Sequence, residues 1–270
     1  MIVQMPPRAI VSSVQTSGKT SEEVAEVVHK YRSSAIQMMT NAGFKITDNV
    51  KVAVDPELPF MGYTMPQGKS FTIVVSGGAV GSEMLEGLLV HEMSHIYRIQ
   101  TNHPSHNAEI LEQAVERLGK KRIHSDYQQK IVHDLLNDIQ DLYADDIAFQ
   151  VFRTARAPVL DRVTSFLQSM VTDKSVKSGD RMKDRWANTS IMVHNARAVA
   201  QMARHRVEDK GDKADRANRR FLAQVSPGIA EKFDFFRKLL GNLREGITED
   251  EYRGLLAEYL NQFLEAAERN

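Results

Sequence analysis

The sequence predicts an α+β protein that is predominantly helical, with a small N-terminal β-sheet and a helical C-terminal extension. Two observations carry this. The β-type runs are confined to residues 51–75, and from residue 82 onward the apolar residues keep helical spacing between breaks. The 270 residues suffice for one large or two modest domains. Ala157-Pro158 marks a boundary between a domain of residues 1–156 and a helical region of 157–270, which could equally belong to the same domain.

After a short N-terminal arm, Thr20-Ser21-Glu22-Glu23 reads as a capping box opening a helix to about Asn41. Ala25, Val28, Tyr31, Ala35 and Met38 line one face, and Ala42-Gly43-Phe44 closes it. Lys51–Val54 and Phe60–Thr64 are short strands. Phe71–Val75, β-branched and aromatic, is the best strand and ends at Ser76-Gly77-Gly78. Helices are expected over 82–99, 108–118 and 130–153, then about 159–171, 181–206, 227–241 and 248–268. Thr248-Glu249-Asp250-Glu251 forms a second capping box, and Glu208–Lys213 is a charged, exposed loop.

The 35 basic and 35 acidic residues cancel, so bulk charge predicts neither a nucleic-acid nor an anionic-membrane partner. With no cysteine, any metal site must use His and carboxylate ligands. The first residues lack a basic segment followed by a long apolar core, so no secretory signal is read. No apolar stretch approaches the ~18 residues that span a bilayer. A soluble, cytoplasmic protein is expected.

One motif stands out: His91-Glu92-Met93-Ser94-His95, an HExxH within the apolar run Gly87-Leu88-Leu89-Val90. Helical residues four apart lie about 40° from each other around the axis, so both imidazoles project side by side, as two ligands of tetrahedral Zn²⁺ must. Glu92 falls a step further round, within reach of a metal-activated water. A third His at the HExxHxxGxxH spacing is missing, because Arg98 and Thr101 occupy those positions. A carboxylate from a downstream helix is the remaining choice. Asp134, Asp138, Asp141 and Asp145 form one stripe along the 130–153 helix, and residues 131–152 hold five Asp but no Lys or Arg. Such a row repels itself unless bases or a cation relieve it, and a divalent ion held by another helix would do so.

His91-Glu92-Met93-Ser94-His95 followed by Asp141-Leu142-Tyr143-Ala144-Asp145 resembles the gluzincin-type metallopeptidases, whose second helix carries ExxxD. The resemblance covers about residues 70–150. It implies a zincin-like core, Zn²⁺ as cofactor, Asp141 as third ligand in the Glu position, and Asp145 supporting a ligand His. Asn137-x-x-x-Asp141 also resembles an NxxxD peptidase helix in which Asp is the native ligand, with Asn137 supporting it. Asp is one methylene shorter than Glu, so the second helix must approach closer, or Asp138 must serve instead. In zincins the strand before the metal helix is the sheet edge that pairs with substrate. Phe71–Val75 occupies that place in the sequence, and Gly77-Gly78 would let a backbone pass close to the metal.

The expected function is therefore hydrolysis of peptide bonds in a peptide or protein substrate, with Glu92 as general base toward a zinc-activated water. Glu109 and Glu112 are outside candidates for the third ligand. His103, His106, His124 and His133 read as surface or capping residues. His194, Arg197, Tyr97 and Tyr143 could donate to a developing oxyanion, although packing or solvated roles suit each of them as well. Two other readings exist: a metal-stabilised or degenerate zincin scaffold that binds a protein partner, and a helical nucleic-acid-associated protein using the 181–220 bases. Residues 197–220 hold eight Lys/Arg against four Asp/Glu, and 245–270 hold seven acids against two bases. That asymmetry suggests pairing between helices.

Overall fold

The structure is a computed structural model that describes residues 21–118 and 122–268. The N-terminal arm and Thr20 of the first capping box lie outside the described residues. In chain order the elements are α1 (Ser21–Asn41), β1 (Asn49–Asp55), β2 (Gly62–Gln67), β3 (Ser70–Ser76), α2 (Gly77–Val80) and α3 (Leu85–Gln100). After a 3₁₀ turn at Pro104–His106 come α4 (Ala108–Leu118), α5 (Asp126–Ala155), α6 (Val159–Met170) and α7 (Arg181–Arg204). A second 3₁₀ turn at Lys210–Asp212 leads to α8 (Lys213–Leu222), α9 (Pro227–Ala230), α10 (Phe233–Gly241) and α11 (Glu249–Glu268). The fold is thus α+β and mainly helical. No helix among the described residues is long and apolar enough to cross a membrane.

Two compact units can be distinguished: Met1–His106 with Tyr143–Val163, and Asn107–Leu142 with Thr164–Asn270. The first contains the three-stranded sheet, in the order β1-β3-β2. β3 pairs parallel with β1 and antiparallel with β2. This corrects the expectation that Phe71–Val75 is an edge strand. Every residue from Phe71 to Ser76 is buried, as befits an unalternating apolar run covered on both faces.

The open edge next to β3 is β2, which starts later than expected and runs through Pro66. Ser76 N–H donates to Met61 O at 2.9 Å, so Met61 faces β3, and in an antiparallel ladder Tyr63, Met65 and Gln67 do the same. The main-chain groups of Gly62, Thr64 and Pro66 therefore face away from β3. The N–H that Pro66 lacks would point to the open edge, where a strand tolerates proline. Gly68, at φ 63, opens the tight turn into β3. The Ser76 hydroxyl accepts from Ala79 N–H and caps α2, so Gly77-Gly78 belong to that helical turn.

α3 packs its stripe of Leu85, Leu89, Val90, Met93 and Ile96 into a core shared with α1, β3 and Ile147, Ala148, Val151 and Phe152 of α5. Gly87 allows the close approach of Val159: a Cβ there would lie 2.8 Å from Val159 Cγ2.

In the second unit α7 is buried around most of its circumference. Trp186 meets Phe263 of α11 edge-on at 5.4 Å, and Phe236 of α10 meets Tyr259 at 5.4 Å. Asn188 and Asn195 each exchange two hydrogen bonds with the extended backbone at Val176 and Thr172. The Thr248/Glu251 capping box forms reciprocally. α8 was not expected, because only Ala214, Asn218 and Phe221 of its ten residues are buried; it begins at Lys213, the end of the expected charged loop. The helix expected over 227–241 divides into α9 and α10 at Glu231 and Lys232.

Two glycine substitutions test this packing in opposite directions. A Cβ on Gly62 would sit 2.7 Å from the Val74 carbonyl oxygen, a backbone atom that cannot swing away. Gly62→Ala should cost about 1–3 kcal/mol in urea unfolding. Gly254, exposed in α11 with nothing near its absent Cβ, should gain about 0.5–1 kcal/mol on replacement by Ala.

Candidate metal centre

The helical spacing of α3 sets His91 and His95 one turn apart, with their Nε2 atoms 3.1 Å from each other. The other nitrogen of each ring is engaged elsewhere. His91 Nδ1 lies 2.8 Å from Asp145 Oδ1, and His95 Nδ1 lies 2.8 Å from His106 Nε2. An ionised carboxylate only accepts, so His91 donates from Nδ1 to Asp145, and its Nε2 faces that of His95. α5 is one unbroken helix, so Asp141 precedes Asp145 by a turn on the same face.

His91, His95 and Asp141 are the described residues grouped so that a metal ion could be held, with one ligand atom from each within 4.8 Å of the others. Two nitrogens bound to zinc at ~2.0–2.1 Å in a tetrahedron stand about 3.3 Å apart. The observed Nε2 separation is close to that, and the donor set suits zinc.

The aspartate stripe is more fully compensated than its local sequence suggests. Lys130 Nζ pairs with Asp134 at 2.9 Å. Arg197 of α7 reaches Asp138 at 2.9 Å and Asp141 at 3.2 Å, and His194 Nδ1 lies 2.6 Å from Asp138 Oδ2. Of the two ways of relieving the row, bases are seen: α7 supplies an arginine and a histidine from outside the local sequence. Asp138, the alternative third ligand, is only 3 % exposed and is committed to these two partners. Asn137 is half-buried a turn before Asp141 and makes no side-chain hydrogen bond among the described residues. Glu109 and Glu112 are exposed on α4, outside the cluster.

Glu92 is 3 % exposed, and its Oε2 accepts a hydrogen bond from the Thr64 hydroxyl on β2 at 2.7 Å. Thr64 was not singled out from sequence, since nothing local links a strand threonine to a helix 28 residues away. The His106 contact was missed for the same reason; only its place in the Pro104–His106 turn, just after α3, hinted at a return toward the motif. Of the expected oxyanion donors, His194 and Arg197 are directed at carboxylates. Tyr97 stacks edge-on against Phe44 at 5.2 Å, and Tyr143 lies against His103 and accepts from Arg98 through its carbonyl. His124 and His133 are exposed. Several bases between 197 and 220 are tied down within the fold: Arg204 donates to the Gly241 and Leu243 carbonyls, and Arg219 and Arg220 pair with Asp215 and Asp173.

Residues 26–265 match a family of unknown function (DUF5781), and the chain belongs to it. No curated protein and no solved structure matches the chain.

The His194 contact makes stability pH-dependent. Burial disfavours the imidazolium, but the Asp138 carboxylate, aided by Asp134 and opposed by Arg197, outweighs burial and raises the His194 pKa. A group whose pKa is raised on folding contributes fully below its unfolded value of ~6.5 and loses that contribution as pH rises through the folded value. Urea unfolding should therefore show stability falling as pH rises above the unfolded value of ~6.5, with a shallower fall in His194→Gln. Identical pH slopes in the two proteins would remove this assignment.

Proposed function

We propose that the chain is a zinc-dependent metallopeptidase with a zincin-like core, its site resembling that of the gluzincins. One observation carries the reading: the two HExxH imidazoles turn their Nε2 atoms toward each other at 3.1 Å, beside Asp141, while both Nδ1 atoms are engaged elsewhere. His91, His95 and Asp141 would hold the ion. Bound zinc supplies a Lewis acid that lowers the pKa of water toward ~7 and polarises a carbonyl.

The protein's own residues do the rest. Asp145 fixes the His91 ring, and Arg197 holds one oxygen of Asp141. The Thr64 hydroxyl occupies Oε2 of Glu92, leaving Oε1 to take a proton from the attacking water and pass it to the leaving amine. An extended peptide would pair with β2, where Gly62 and Thr64 turn their main-chain groups away from β3. Thr64 thus offers its backbone to the substrate and its side chain to the base.

Elemental analysis of the full chain should find one zinc per molecule. His95→Ala and Asp141→Ala should abolish it, and Asp138→Ala should weaken it much less in competition with a chromogenic chelator. A severe Asp138→Ala with a mild Asp141→Ala would transfer the ligand role to Asp138.

Glu92→Gln should keep zinc and folding while losing turnover of an unfolded protein by at least ~10²-fold, read by mass spectrometry of the products. Equal turnover in variant and wild type would overturn the role of Glu92. If neither protein cleaves while both bind zinc, the metal-stabilised scaffold becomes the better reading.

A further inference from the structure

The HExxH histidines are backed in unlike ways. His91 leans on a carboxylate, whereas His95 leans on a neighbouring imidazole, and that imidazole begins a chain of hydrogen bonds through the Pro104–His106 turn. His95 Nδ1 is 2.8 Å from His106 Nε2, His106 Nδ1 is 2.7 Å from Ser105 Oγ, and Ser105 Oγ is 2.7 Å from His103 Nδ1. Ser105 is fully buried. His103 rests against the Tyr143 ring, 4.7 Å between centroids.

Distances alone leave the direction of such a chain open, since each histidine has two neutral tautomers. One backbone group fixes it. The Ser105 N–H, which can only donate, points at His103 Nδ1 at 3.2 Å, so that nitrogen carries no proton. The Ser105 hydroxyl must then also donate to His103. Having spent its proton there, the hydroxyl oxygen accepts from His106 Nδ1–H. In the neutral ring the single proton is then on Nδ1, so His106 Nε2 is bare and accepts from His95 Nδ1–H. The last consequence is that His95 keeps its Nε2 lone pair on the side facing His91 Nε2.

We infer that His106 is a positioning residue, oriented by Ser105 and His103, that holds His95 in its Nδ1–H tautomer with Nε2 presented for a metal. The inference deepens the proposed function and rests on it only where zinc affinity is concerned. The tautomer is a property of the metal-free chain.

Long-range ¹H–¹⁵N spectra of the ¹⁵N-histidine-labelled, metal-free full chain read that tautomer directly. In the wild type His95 should carry its proton on Nδ1, and His106 should do likewise. His106→Leu should release His95 from this preference and weaken zinc binding about 10- to 100-fold in chelator competition. His106→Gln, whose amide oxygen can accept, should restore most of both. A wild-type His95 protonated on Nε2 and bare at Nδ1 overturns the inference without any variant, whether or not His106→Leu folds. So does a folded His106→Leu with wild-type tautomer and zinc affinity. A wild type with the expected tautomer but no zinc binding leaves the role of His106 standing and removes the metallopeptidase reading instead.

Discussion

Four aspartates on one face of α5 are the constraint around which much of the structure is organised. Carboxylates a turn apart repel by a few tenths of a kcal/mol even in water, and burial magnifies the cost. Each finds a partner: Lys130 for Asp134, His194 and Arg197 for Asp138, Arg197 again for Asp141, and His91 for Asp145. The arrangement explains why α7, a helix buried around most of its circumference, nevertheless carries an arginine there. Without Arg197 the buried Asp138 would lose its strongest compensation, and leaving a buried charge uncompensated typically costs about 3–5 kcal/mol.

The same row of carboxylates gives the candidate centre its asymmetry. Asp145 places a negative charge behind His91, which makes that imidazole a more basic donor. His106 places a second imidazole behind His95, 2.8 Å from its Nδ1, where His91 has a carboxylate. Arg197, shared between Asp138 and Asp141, keeps the third candidate ligand from bringing the full weight of two neighbouring anions.

Much of this was legible in the chain. HExxH in an apolar helix implies paired imidazoles because helical geometry is local. The same holds for the Asp141/Asp145 spacing, the capping box at Thr248 and the exact span of α4. Contacts that cross many residues were not legible. Thr64 meets Glu92 only because β2 runs beside α3, and His106 meets His95 only because the 3₁₀ turn folds back on the helix. β3 was placed at the sheet edge by the zincin resemblance, because sequence shows strand character but not strand order. α8 escaped notice because three buried residues in ten leave too narrow an apolar stripe to stand out from the charges around it.

The sequence by itself determined the helix-rich α+β class, the family to which residues 26–265 belong, and the residues from which a metal site could be built. These follow from short-range periodicity and residue chemistry, which the chain carries wherever it is folded. The tertiary structure alone decided which carboxylates are consumed by arginine and histidine and which strand offers an open edge. It also decided the direction of the hydrogen-bond chain behind His95. Those depend on groups far apart in sequence meeting at hydrogen-bond distance, and on a single backbone N–H whose orientation only the folded turn defines.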